Sequence, residues 1–122
     1  MNAKEFYNSA YEISSGNREI DYRNAISRTY YAAYHSCEQW RRDNQLETAV
    51  AGTTHDKLIK TFINNSNQEV KRIGNSLIQL KAKRHLADYN LKKTFSKLEV
   101  TSMLKQTNKI LEWIIASHPK LT

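Results

Sequence analysis

The sequence predicts an all-α fold, an up-and-down bundle of four or five helices, and three observations carry that prediction. Only three of the 122 residues are glycine and only one is proline, so helix breakers are scarce. Apolar residues recur at steps of three and four along most of the chain, the period of a helix that buries one face. Asn2 with Glu5, and Ser96 with Glu99, have the spacing of capping boxes, in which two side chains satisfy free N–H groups at a helix start. A chain of this length supports one core, so 1–122 reads as a single domain.

The elements follow in order. A first helix opens at Asn2, buries Phe6, Tyr7, Ala10 and Ile13, and stops at Gly16. A second runs from near 21 to about 42, with Tyr22, Ile26, Thr29, Ala33, Cys37 and Trp40 on one side. After a polar loop over 43–53, Thr54 is placed to cap a short third helix that buries Leu58, Ile59, Phe62 and Ile63. Beyond the turn at 64–67, a fourth helix carries Val70, Ile73, Leu77 and Leu80 up to about Leu86. The last begins after Ser96 and buries Val100, Met103, Leu104, Thr107, Ile110, Leu111, Ile114 and Ile115 until Pro119 ends it. Short connections favour antiparallel neighbours, hence the up-and-down arrangement.

Composition narrows the function classes. A single cysteine, Cys37, excludes an internal disulfide and a cysteine-rich zinc site, which suits a reducing compartment. Residues 1–6 lack the apolar core of a signal peptide, and no apolar run reaches membrane-spanning length. The expectation is a cytoplasmic protein with no membrane partner. The net charge is +7, and the excess is concentrated. Over 1–47 the two signs nearly cancel, whereas 71–97 holds eight basic residues opposed only by Asp88. Such a sector favours polyanions, nucleic acid first and an acidic protein surface second; a solvated lysine-rich face is the plain alternative.

The second helix carries the candidate chemistry. Arg28 and His35 are seven residues apart, which returns them almost to one helix face about 10.5 Å apart along the axis. On a helical wheel Asn24, Arg28, Tyr31 and His35 form a stripe facing away from the apolar side, with Ala32 alongside. A tyrosine and a small residue beside a charged pair suggest a second contact surface, helix against helix in a homodimer, or a substrate site; an ordinary exposed face is the alternative. Arginine plus histidine suits phosphodiester cleavage, and no cofactor is expected. His35 would act as general base or acid for attack of a ribose 2′-hydroxyl on the adjacent phosphate, with Arg28 stabilising the phosphoryl charge. Two copies of the stripe in one cleft would supply both acid and base. Asn24 would orient the substrate, and Tyr31 would stack on a base or bond a phosphate.

No metal constellation competes, because His35, His55, His85 and His118 lack ligand spacing with carboxylates. His55 and His118 lie near helix ends, where capping or exposure is expected, and His85 belongs to the basic surface. There is no glycine-rich phosphate loop and no nucleophile elbow. Arg84 falls on the apolar side of the fourth helix, where an unpaired charge is costly. It either pairs with Asp88, with the Tyr89 hydroxyl as a further partner, or serves as a phosphate site near the first stripe.

Two segments resemble a known family. The run Ala25-Ile-Ser-Arg28-Thr-Tyr30-Tyr31-Ala-Ala-Tyr34-His35 resembles the second-helix signature of small prokaryotic HEPN-domain proteins, and Arg84-His85-Leu86-Ala87-Asp88-Tyr89 resembles the Arg-x-x-Ala-Asp-Tyr element of the same subgroup. With His55 and Leu58 ahead of the third helix, the resemblance covers nearly the whole chain. It implies a compact helical bundle that often dimerises, with toxins or defence effectors that cut RNA without a metal among its members. Some are partnered by a nucleotidyltransferase antitoxin. The family's arginine–histidine pair maps onto Arg28 and His35. Three functions therefore stand at the level of sequence: an RNA-cleaving toxin or defence nuclease; a non-catalytic module binding nucleic acid, a nucleotide or a protein; and an antitoxin-like or regulatory protein occluding an acidic partner.

Overall fold

The computed structural model describes residues 2–48 and 52–117. Five helices form, α1 (Ala3–Ile13), α2 (Glu19–Asp43), α3 (Thr54–Ile63), α4 (Gln68–Tyr89) and α5 (Lys97–Ser117), with no strand among the described residues. None of these helices is long and apolar enough to cross a membrane. Pro119 and His118 lie outside the described residues.

Local chemistry explains most helix starts. Asn2 and Glu5 form the capping box, with the Asn2 carboxamide accepting the Glu5 N–H at 3.0 Å and the Glu5 carboxylate accepting the Asn2 N–H at 2.8 Å. The start of α2 lies two residues earlier than the sequence suggests, because the Asp21 carboxylate reaches back to the Arg18 N–H at 3.2 Å. Thr53 rather than Thr54 caps α3, its hydroxyl accepting the Asp56 N–H. Ser96 accepts the Glu99 N–H at 3.2 Å, but the Glu99 carboxylate turns to Lys83 and Lys93. Burial alone would raise Glu99, yet those two ammonium groups outweigh it and hold the carboxyl below its ordinary value.

The helices are not laid side by side in chain order. α2 is the hub: α1, α4 and α5 all pack on it, while α3 packs chiefly on α4. Consecutive pairs α2–α3 and α4–α5 meet only slightly, so the simple up-and-down order expected from short loops does not describe the packing. The reason lies in α2 itself. Its buried residues include Arg23, Ala25, Ile26, Thr29, Tyr30, Ala32, Ala33, Tyr34, Cys37 and Trp40, an arc wider than one stripe. Fully buried alanines at 25, 32 and 33 let neighbouring helices approach closely. One core draws on all five helices, with Tyr30, Phe62, Phe95, Leu77 and Leu80 at its centre. Cys37 is buried there, and burial pushes its thiol far up, so it is unreactive.

Arg23 locks the far end of α4. Its guanidinium donates to the carbonyls of Leu86, Ala87, Asn90 and Lys93 and to the Glu19 carboxylate, and it lies over the Phe95 ring. Glu19 in turn accepts the Phe95 N–H. The Ala87 carbonyl at the helix end and those of Asn90 and Lys93 just beyond it are thus bonded by a side chain from α2, and α4 continues to Tyr89, three residues past the end read from its apolar pattern.

Gly74 marks a close crossing of α3 and α4. A Cβ built on it would stand 2.9 Å from Cγ1 of Ile63 and 3.0 Å from the Ile63 backbone nitrogen, too close for α3 and α4 to keep their spacing. Alanine gains about 1 kcal/mol of helix propensity, but overpacking costs about 1–3 kcal/mol. Gly74→Ala is therefore expected to lower Tm in a circular-dichroism melt, and a raised Tm would contradict this crossing.

Candidate functional site

The exposed stripe on α2 is present but narrower than the wheel suggests. Asn24, Arg28 and His35 are exposed, whereas Tyr31 is half-buried against the core and Ala32 is fully buried. Helix α1 is responsible, since Phe6 comes over this face to stack on His35 at 5.1 Å and meet Tyr31 at 6.2 Å. The His35 ring is further fixed by Tyr34 at 5.2 Å and Tyr31 at 6.0 Å. Arg28 and His35 stay two helical turns apart, and no contact joins them among the described residues.

Arg28 differs from every other arginine. Arg18, Arg23, Arg41, Arg42, Arg72 and Arg84 each hold a carboxylate within 3.4 Å. Among the described residues Arg28 holds none. Beside His35, α1 and α2 flank a groove of about 510 Å³ lined in part by Lys4, Phe6, His35, Gln39 and Arg42, with Glu38 and Asp43 also on its wall. Arg28 lies outside it.

Behind the stripe lies an aromatic layer that ties α2 to α3 and α4. The Arg84 guanidinium rests over the rings of Tyr30 and Tyr31, at 5.3 and 5.7 Å. It pairs with Asp88 at 3.3 Å and makes a long contact to the Tyr31 hydroxyl at 3.5 Å. Its Nε–H is buried and has no acceptor among the described residues. The hydroxyl it meets is thus that of Tyr31 rather than Tyr89. Tyr89 is exposed and packs beside His85 at 4.9 Å, because the last turn of α4 carries it to the outer side.

His55 was expected to be a capping or exposed residue; instead it is a fixed part of this layer. Its ring stacks on Tyr34 at 4.0 Å with planes 13° apart, and its Nδ1 is 2.7 Å from the Tyr30 hydroxyl. Burial, then the charges of Arg84, Lys81 and His35, hold His55 below the ordinary histidine value. Burial also pushes the Tyr30 phenol well up. Folding therefore excludes a proton that His55 binds in the unfolded chain. The stability this contributes is present above about pH 6.5 and is lost as pH falls through the lower folded value. The carboxylates of Asp21, Glu38 and Asp56, held low by Arg18, Arg41 and Lys81, add their own loss only below about pH 4.5. Thermal melts between about pH 7 and pH 5 should show Tm falling, and His55→Gln should flatten that fall. An unaltered slope in the variant would contradict this assignment.

The basic sector is more compensated in three dimensions than along the chain. Partners come from elsewhere: Asp56 meets Lys81 at 2.6 Å, and Glu99 serves both Lys83 and Lys93. Glu69, just before the sector, meets Arg72. Lys71, Lys92 and Lys97 keep no carboxylate among the described residues. Among the described residues no group of three His, Cys, Asp or Glu side chains could hold a metal ion.

Comparison with protein-family models, with curated proteins and with solved structures found no match.

Proposed function

We propose that the protein is a HEPN-like RNA-cleaving protein of the toxin or defence type, cytoplasmic, and acting without a metal through Arg28 and His35. The observation that carries this reading is Arg28 itself, exposed, on the face that holds His35, and lacking a carboxylate among the described residues where every other arginine has one. An exposed, uncommitted guanidinium fork is suited to phosphate oxygens. His35 takes the ribose 2′-hydroxyl proton, and the freed oxygen attacks the adjacent phosphorus. Arg28 balances charge on the non-bridging oxygens while the 5′-oxygen leaves and is reprotonated. Asn24 orients the substrate, Tyr31 and Arg84 border it, and the groove at His35 accepts the flanking nucleotide. A homodimer that places two stripes in one cleft brings the acid and the base together.

A second reading is favoured by the two-turn gap between Arg28 and His35. A non-catalytic HEPN-like module, binding nucleic acid, a nucleotide or a protein such as a nucleotidyltransferase in an antitoxin-like or regulatory role, needs no contact between them. Incubation of total RNA with the protein in chelator separates the two. Cutting by wild type that Arg28→Ala and His35→Ala both abolish supports the nuclease; equal cutting by the variants, or none by wild type, defeats it.

A further inference from the structure

We propose that His55 is a further substrate-binding residue of this site, a neutral hydrogen-bond donor aimed at an RNA phosphate oxygen and held in that state by Tyr30; the inference rests on the RNA reading above. The starting point is the Tyr30 hydroxyl. Tyr30 is fully buried, and among the described residues its hydroxyl has one partner, Nδ1 of His55. A buried hydroxyl requires an acceptor, and burial keeps the proton on this phenol. Tyr30 therefore donates, Nδ1 accepts, and the single proton of a neutral imidazole lies on Nε2 at the opposite edge. No hydrogen bond among the described residues uses that Nε2–H.

Two rings hold the imidazole in this arrangement. Tyr34 stacks on its face and Tyr31 meets it edge-on at 6.1 Å. His35, on the exposed stripe, packs against the same two tyrosines, so His55 belongs to the same patch although it comes from α3. The surroundings are cationic. Arg84 rests over the Tyr30 and Tyr31 rings, and Lys81 and His35 also act on the imidazole. Two carboxylates oppose them, Asp56 paired with Lys81 at 2.6 Å and Asp88 paired with Arg84 at 3.3 Å. Positive charge that disfavours a protonated His55 favours an anion in front of it. A metal would need the lone pair that this tautomer replaces with a proton, whereas a phosphodiester oxygen accepts from it directly.

The test uses the whole chain and a fluorescein-labelled 2′-O-methyl RNA, which lacks the attacking hydroxyl and so reports binding apart from cleavage. In anisotropy titrations His55→Ala is expected to weaken binding roughly tenfold, the worth of one hydrogen bond to a charged group. His55→Gln, whose amide N–H lies near the position of Nε2–H, should stay within about threefold of wild type. Long-range ¹H–¹⁵N spectra of the wild type should show His55 with the proton on Nε2, shifting as the RNA is added; this reading does not depend on whether His55→Ala folds. If Arg28→Ala weakens binding while His55→Ala does not, the RNA reading stands and this inference falls. A proton on Nδ1 of His55 overturns it as well. Absence of binding by the wild type overturns both.

Discussion

Replacing Arg23 with alanine should cost about 3 kcal/mol of unfolding free energy, the upper end of the cost of leaving buried acceptors unsatisfied. The residue is only 8% exposed, and its guanidinium serves four carbonyls and the Glu19 carboxylate. Alanine would leave the Ala87, Asn90 and Lys93 carbonyls without this donor and Glu19 without its cation, and the end of α4 and the turn at 90–95 would lose their anchor. Arg23→Lys keeps the charge but not the fork, so it should fall between alanine and wild type. Urea denaturation followed by circular dichroism checks this; a loss under about 1 kcal/mol would mean that water replaces the guanidinium at little cost.

Arg28→Ala should behave in the opposite way. Arg28 is exposed and without a carboxylate among the described residues, so stability should stay within about 0.5 kcal/mol of wild type. RNA cleavage should drop by about 10²–10³, the usual loss when one group stabilising transition-state charge is removed. His35→Ala should cost about 10²–10⁴ as the loss of an acid–base group, together with a small loss of stability from its contact with Phe6. Two arginines five residues apart on one helix thus separate cleanly. Arg23 holds the fold, and Arg28 is free to act on a ligand.

Much of the fold was legible because it is local. The Asn2–Glu5 box and the Ser96 cap rest on residues three apart, and the apolar periods of α1, α3 and α5 name most of their buried faces; Ile115, expected inside, is exposed because the last turn of α5 carries it past the core. What escaped depends on partners distant in sequence. The end of α4 is set by Arg23, more than sixty residues earlier. Arg23 could have been suspected from Glu19 four residues before it, although that spacing is equally common on exposed helix faces. The wheel placed Arg84 on the buried side and its fourth neighbour Asp88 explained the charge, but nothing local pointed to Tyr31 as the hydroxyl it would meet. The place of His55 is not legible locally, because a histidine near a helix start ordinarily faces water. Only the crossing of α2 and α3 brings it between Tyr30 and Tyr34. The basic sector was overstated for the same reason, since Asp56 and Glu99 neutralise lysines that have no acidic neighbour along the chain.

The candidate site was legible in its residues and not in its depth. Asn24, Arg28 and His35 do share an exposed face, as a period of 3.6 requires. Tyr31 and Ala32 do not belong to a free surface, because the hub position of α2 gives it an apolar arc too wide for a one-sided wheel. That hub position is a property of packing, set once α1 brings Phe6 over this face of α2.

The most direct test of the central claim is cleavage, in excess chelator, of one RNA oligomer against the same oligomer with 2′-deoxyribose at every position 5′ to a cut. Attack by a 2′-hydroxyl steered by Arg28 and His35 predicts that wild type cuts the RNA, leaves 2′,3′-cyclic phosphate ends and spares the deoxy-substituted strand. Equal cutting of both strands, or an intact RNA, would contradict it.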